Sequence, residues 1–568
     1  MPLGIFFSET LRMRPSLWVK SDLNAFFGLA LDNVAVIILL LGLISGTQSQ
    51  QEQVESGRYV FSPDFVVSNM VPGTALGVLF GDLVFSAMGF LLAKRVGRAV
   101  TAMPLGLDTP STFGVAFLVL LPALTLGHKQ FPGDPEAAQN FAWHVGLSVL
   151  VITGVIKTLL SPFGNWVRRI LPRASLLGSL SGIALALIAF LPLINDGIAS
   201  VPLVGIVALG LMVGALVANL QILRVPGVLG AALVGCALTG IAGLMPDSIP
   251  LAPGFSDQPL HFSWTGIPWV WGSVGGEYWG SVLSAALDRL PVILPFALAT
   301  IIGGIDCTES AASVGDEYDT RAVLFTEAIA SLVAGVFGGV IQTTPYIGHP
   351  AYKKMGGQIG YTLLTAIFIG LAGFTGAFYL LEYIPKSCLY PILVYVGIEI
   401  TASSFHSTEP KHLPALALAF LPALAYLMTL GLKTGFGMAT PTGLGFVQTL
   451  RCVGNGFLVT SILWSAMLVM VIDKRAQAGV IFALVAAFCS FFGVIHSPLG
   501  DEHVGPPWVV MEQVQKEFLE VVKYQTPYHW AGAYLILGLV FALWALSMKK
   551  SPLSPPSEIG KNDAKPPH

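Results

Sequence analysis

The sequence predicts an all-α polytopic membrane protein with 14 transmembrane segments as two inverted seven-segment repeats, plus about two extra C-terminal spans. Three observations carry this reading. Of 568 residues, 54% are hydrophobic and 11% charged, against about 25% charged in a soluble globular chain, and the mean hydropathy is +0.74. Apolar runs of the ~20 residues that cross a bilayer core recur along the chain. A polar, aromatic-rich stretch, 247–290, separates seven such runs from seven more.

The elements follow in order. Residues 1–24 carry Arg12, Arg14 and Lys20 and lack the short apolar region of a secretory signal, so they are expected to be a cytoplasmic N-terminus. The first repeat, 25–246, has runs near 25–46, 70–93, 103–127, 140–162, 174–194, 200–220 and 227–246. The 247–290 stretch is expected to be an extracytoplasmic connection. The second repeat, 291–474, has runs near 291–313, 322–341, 343–356 (short and broken), 358–382, 388–405, 413–432 and 455–472. Additional spans fall within 475–548, and the polar, Pro-rich tail 549–568 is expected to be a disordered cytoplasmic end. Lys94, Arg95 and Arg98, then Arg168, Arg169 and Arg173, and later Lys474 and Arg475 fall in alternate loops. The positive-inside rule then places both termini in the cytoplasm of a multi-pass cell-membrane protein, such as one of a bacterial inner membrane.

A net charge of −3 excludes the basic field of a nucleic-acid binder. Cys236, Cys307, Cys388, Cys452 and Cys489 form no CxxC pair and read as small core residues. There is no HExxH, P-loop or GxSxG signature and no metal-ligand cluster, so no enzyme, cofactor or metal is expected.

An odd number of spans per half makes the second half enter from the opposite side, the geometry of an inverted repeat. A sequence echo supports it. Met103-Pro104 through Asp108-Thr109-Pro110 opens the third run, and Gln342-Thr343-Thr344-Pro345-Tyr346 through Gly348-His349-Pro350 opens its counterpart. Proline removes an amide donor and glycine loosens a helix, so both stretches are expected to be interrupted. Irregular backbone is tolerated at membrane depth only where it lines a protein-enclosed or watery cavity. Matched broken segments therefore point to a solute site, with freed amides and half-helix N-termini as its donors.

Acids give the second argument. Asp32, Asp82, Asp108, Asp306, Glu309, Glu327 and Glu399 fall within or beside apolar runs, where each costs about 2.5–3.5 kcal/mol to insert at a helix centre. Asp82 and Glu327 occupy the second run of each half and read equally as site residues or as structural hydrogen-bond partners. Asp306, Glu309, Ser313 and Asp316 recur at helical spacing and form one face, although Asp316 onward reads better as a solvated loop. Lys353 and Lys354 read as snorkelling to the cytoplasmic face.

At these residues the chain resembles the nucleobase–ascorbate transporter family, and most closely its adenine/guanine/hypoxanthine permease branch. Thr101-Ala102-Met103-Pro104-Leu105-Gly106-Leu107-Asp108-Thr109-Pro110 looks like that branch's T-A-x-P-Y-G-I-N-T-P, with Asp108 in place of Asn. Thr343-Thr344-Pro345-Tyr346-Ile347 looks like its T-T-Y-I-E-S, with no acid at Ile347 or Gly348. The resemblance implies a core domain of spans 1–4 and 8–11 moving against a gate domain of spans 5–7 and 12–14. It also implies a secondary active permease for a nucleobase such as a purine or xanthine/uracil, driven by H⁺ (or Na⁺) and able to form a homodimer. Asp108, Thr109, Asp306, Glu309, Gln342, Thr343, Thr344, Tyr346 and His349 are then the expected substrate-binding residues, and Glu309, Asp306 and Asp32 the expected proton-coupling ones. An anion transporter of sulfate or bicarbonate type on the same fold is the alternative, and a membrane-embedded enzyme or receptor a third reading.

Overall fold

The computed structural model describes residues 17–46, 53, 59–163, 170–194, 202–217, 227–243, 266, 270–271, 275–346, 348–383, 391, 394, 397–398, 400–402, 404–433, 441–499, 504–517 and 525–550. Ile347, Glu399, the N-terminal segment 1–16, most of the stretch 247–274 and the tail after Lys550 lie outside them.

The first half opens with α1 (Asp22–Ile44) and α2 (Val71–Val96), followed by a short strand, β1 (Leu105–Leu107). Helices α3 (Thr109–Gln130) and α4 (Pro135–Leu160) complete a four-span unit. Its breaks are written in the residues. Gly97 ends α2 in the left-handed region (φ 69°) after Lys94 and Arg95, whose charges suit the negative end of the helix dipole. Asp108 caps α3, accepting from the amide of Ser111 at 2.9 Å, and Pro110 falls at the helix start, where it needs no donor. Asp134 caps α4 in the same way, ahead of Pro135. Next come α5 (Arg173–Ile183), which continues as a π-helix over Ala184–Phe190, α6 (Pro202–Val217) and α7 (Gly227–Gly243). The stretch read from sequence as a polar connection carries a helix, α8 (Gly276–Leu287).

The second half repeats the plan with α9 (Leu290–Ser313), α10 (Thr320–Val336), strand β2 (Thr343–Pro345), the short α11 (His349–Lys354) and α12 (Gly360–Thr375). Then follow α13 (Leu413–Leu418), α14 (Phe420–Lys433), α15 (Pro441–Gly454) and α16 (Phe457–Ile472). Helices α17 (Ala476–Phe491), α18 (Pro507–Glu517) and α19 (Pro527–Lys550) close the described chain.

The two halves are inverted repeats, and packing shows it. Helix α2 lies on α12 as α10 lies on α4, and α1 lies on α12 as α9 lies on α4. Helices α1 and α2 flank β1 as α9 and α10 flank β2. β1 and β2 pair antiparallel, Leu105 opposite Pro345, Gly106 opposite Thr344 and Leu107 opposite Thr343. The pseudo-two-fold axis therefore passes between the strands. Close crossing of α2 and α10 depends on small residues: a Cβ on Gly77 would lie 2.7 Å from that of Ala334.

Two bundles result. Helices α1–α4 and α9–α12 form a core around the strand pair, and α5, α13, α14 and α16 pack on one another as a gate. Leu39, Phe113 and Phe296 of the core meet Ile183, Leu187 and Phe457 of the gate in an apolar cluster. Helices α17 and α19 pack on each other, and α17 on α16.

Continuous spans are fewer than hydropathy implies. Seven described helices are long and apolar enough to cross a bilayer, eight if α15 and α16, bent by 75° at Asn455-Gly456, count as one. α12 and α17, at 16 residues each, are shorter apolar helices, as is Arg173–Leu187. A hydropathy window averages across breaks, so it reads 343–356 as a run where the chain makes a strand, a turn and a six-residue helix.

Candidate functional site

The paired strands and the start of α3 form the centre of the core. Backbone bonds extend the pairing beyond the strands: the Asp108 amide donates to Gln342 O at 3.0 Å, and the Tyr346 amide to Pro104 O at 2.9 Å. The other backbone groups of the pair are met by buried side chains, as isolated strands at membrane depth require. Asn33 of α1 accepts from the Leu107 amide at 3.1 Å, and Asp82 Oδ1 of α2 accepts from the Leu105 amide at 3.2 Å. On the β2 side Ser331 accepts from the Thr343 amide at 3.1 Å, and Lys157 Nζ of α4 donates to Thr343 O at 3.1 Å. Lys157 also pairs with Glu327 Oε1 at 2.5 Å, and both side chains are buried. The equivalence of Asp82 and Glu327 that their run positions suggested is thus realised as equivalent supports of the two strands.

Beside the pair, Gln342 Nε2 donates to Asp108 Oδ2 at 3.3 Å. Its Oε1 is buried with no hydrogen-bond partner. Gln342, Ser111, Thr153, Val115, Ile293 and Phe296 line a small, largely apolar cleft walled by α3, α4 and α9. Thr112 donates to Asp108 O at 2.7 Å, locking the first turn of α3. Thr109 and Thr344 are half-buried beside this centre, and Thr343 is buried within it. Tyr346 donates its hydroxyl to Leu107 O at 3.2 Å, across a Gly106 whose added Cβ would meet the tyrosine ring at 2.2 Å. Asp32, one residue before Asn33, is exposed and accepts from the Tyr352 hydroxyl at 2.9 Å.

Helix α9 presents three residues in different directions, at about 100° per residue. Cys307 faces β2, its thiol 3.2 Å from Pro345 O. Asp306 faces the gate and pairs with Arg173 of α5 at 3.1 Å. Glu309 is exposed on the Asp306 side of the helix. The expected acid pair of α9 therefore faces the core–gate cleft, while the thiol between them contacts the strands.

Two expectations are corrected at the end of α9. The helix stops at Ser313, and Gly315 (φ 91°) turns the chain, so Asp316 does not share a helical face with Asp306 and Glu309. Nor is Asp316 a solvated loop acid, for it is fully buried. Arg98 contacts it at 2.9 Å, Lys353 at 2.8 Å and His349 Nε2 at 3.2 Å, and the Thr101 amide donates at 3.2 Å. Burial alone would raise its pKa; these four donors outweigh burial and hold the carboxyl well below the usual carboxylate range. His349, expected in the substrate site, is committed to Asp316, and Lys353, expected to snorkel, also bonds Val314 O at 2.8 Å. Lys354 is exposed.

Sequence reasoning missed Lys157 and Ser111. A lone lysine within the 140–162 apolar run was as legible a signal as the intramembrane acids. Ser111 had none beyond its place in the Asp-Thr-Pro-Ser-Thr stretch.

No family model matches the chain, and no curated protein does. Solved structures match. The transmembrane domain of a cyanobacterium bicarbonate transporter, BicA, is 17% identical over 74% of this chain and 97% of its own, with a TM-score of 0.45. The overall structure of SLC26A9 is 13% identical over 80% and 91%, with a TM-score of 0.43. Murine Solute Carrier 26 family member A9, described as an anion transporter in the inward-facing state, is 14% identical over 83% and 74%, with a TM-score of 0.41. The assignment to the nucleobase–ascorbate family is corrected accordingly: two of these matches are described as a bicarbonate transporter and an anion transporter, and none as a nucleobase permease. The Thr-Pro and Asp-Thr-Pro motifs on which that assignment rested encode interrupted spans, a property of the backbone and not of the solute.

Proposed function

We propose that the chain is a secondary transporter that binds a small anion where its two interrupted spans meet and carries it together with a compensating cation. The observation that supports this most is the β1–β2 pair at the head of α3, beside a cleft lined by Gln342 and Ser111. The N-terminus of a 22-residue helix favours an anion through its dipole. Asp108 already occupies part of that end, so an anion enters a site bearing negative charge. A proton or sodium ion taken up with it removes the repulsion, which is the physical basis of coupling. The apolar contact of Phe113 and Phe296 with Ile183 and Phe457 lets core and gate slide, because it carries no directional bonds.

A second reading, a neutral polar solute carried with a cation, is favoured by the Asp108 carboxylate bonded to the cleft-lining Gln342. Uptake into proteoliposomes discriminates the two. Labelled sulfate, bicarbonate and chloride are compared with adenine and uracil, under inward H⁺ and Na⁺ gradients. Saturable, gradient-stimulated entry of one of the anions is expected. Entry of a neutral solute alone would replace the anion reading, and no entry of any solute above protein-free vesicles would reject transport of these classes.

A further inference from the structure

The two strands are supported by acids of opposite circumstance. Glu327 is paired with Lys157, whereas Asp82 is fully buried, bonds the Leu105 amide through Oδ1, and has no partner at Oδ2. No cation meets Asp82 among the described residues. The titratable groups that interact with it are the phenols of Tyr361 and Tyr346; the Cys307 thiol packs in one cluster with Leu105, and Glu327 lies on α10, the helix facing α2. Tyr361 donates to Ala102 O at 2.6 Å, Tyr346 to Leu107 O and Cys307 to Pro345 O, so each spends its proton on backbone. Glu327 is held by Lys157. Ser86, one turn along α2, shares a hydrogen bond with Thr362 at 2.7 Å and also donates to Asp82 O, leaving Oδ2 unmet. A carboxylate with one amide donor in this setting is strongly disfavoured relative to the acid.

We propose that Asp82 is the proton-binding residue of the transport cycle, and that its charge state is read by β1. This rests on the cation-coupled transport proposed above and names its ion and its seat. Release breaks the Oδ2–H bond, leaves the electron pair on the carboxylate, and passes the proton to water on the side to which the core is open. The reverse step on the other side restores the acid. In the charged state the Leu105 amide donates to a carboxylate, a stronger bond than to a neutral acid. Proton release therefore draws β1 toward α2 and with it the head of α3, and uptake relaxes both. Asp306, Glu309 and Asp32 face the core–gate cleft or a tyrosine hydroxyl. Asp82 is bonded directly to a strand, at the Leu105 amide.

Infrared spectroscopy of the full-length protein in lipid, with no solute, reads the proton itself. The wild type is expected to show a buried carboxylic-acid carbonyl stretch that falls as pH rises, and Asp82→Asn is expected to lack it. The amide keeps an acceptor for Leu105. If Asp82→Asn does not fold, Asp82→Glu, which moves the stretch, makes the same assignment. Counterflow of labelled sulfate in proteoliposomes is expected to persist in Asp82→Asn while proton-driven accumulation falls to simple equilibration. A stretch that is unchanged by the substitution, or present but invariant with pH, overturns the proposal. Absence of sulfate movement in the wild type bears on the solute alone, and the infrared result then decides.

Discussion

Lys157 and Glu327 form an ion pair 2.5 Å long behind β2, and the same ammonium holds Thr343 O at 3.1 Å. A charge pair contributed by α4 and α10 thus fixes one of the two strands at the centre of the core, with both partners out of water.

Removing one partner of this pair leaves the other charged and buried, at a cost of roughly 3–5 kcal/mol. Lys157→Met is therefore expected to give protein that unfolds or aggregates in mild detergent. Lys157→Met combined with Glu327→Leu removes both charges and is expected to recover much of the lost Tm. Thermal unfolding of the two variants and the wild type checks the order; a double variant no better than the single one would show that packing, not charge, holds β2.

Gly106 lies against the ring of Tyr346, and an added Cβ would stand 2.2 Å from it. Gly106→Ala is expected to destabilise by about 1–3 kcal/mol through overpacking. Tyr346→Ala in the same chain is expected to relieve part of that loss. Chemical unfolding of the single and double variants provides the comparison.

Asp316 gathers Arg98, Lys353 and His349 from three segments of the chain. Its pKa is lowered on folding, so its contribution is present above the ordinary carboxylate pKa and is lost as pH falls through the depressed value. The wild-type Tm is expected to decline on acidification below the ordinary carboxylate range. In Asp316→Asn this part of the decline is expected to be absent, from a lower starting Tm. Parallel acid limbs for the two proteins would contradict it.

Asp306 and Arg173 join core to gate at 3.1 Å, but Arg173 is 40% exposed, so solvent screens the pair. Asp306→Asn is expected to change stability by only about 0–1 kcal/mol. Because the pair spans the core–gate interface, the same energy would shift the balance of the proposed core–gate states by up to about fivefold. A changed counterflow rate with an unchanged Tm is the expected signature.

Much of this arrangement was legible before any coordinates. Pro104, Pro110 and Pro345, set among Thr and Gly, marked the interrupted segments, because proline and glycine act on the backbone locally. Asp82 and Glu327 stood out because charge in an apolar run is costly wherever it points. The Asp316 cluster was not legible: Arg98 and Asp316 meet across 218 positions, and no local pattern reports such a contact. Glu309 matched a helical face with Asp306, but Gly315 ended that face before Asp316. The motifs that carried the family resemblance describe backbone geometry and carry no information on the solute.

The central claim is that the solute binds beside the joined strands, where Gln342 lines the cleft next to Asp108. Its most direct test is the KM for anion uptake in Gln342→Ala proteoliposomes, with Tm and turnover measured in parallel. The account predicts a KM raised about tenfold or more, equivalent to ~1.4 kcal/mol of lost binding, with the fold intact. An unchanged KM in a folded, active variant would contradict it.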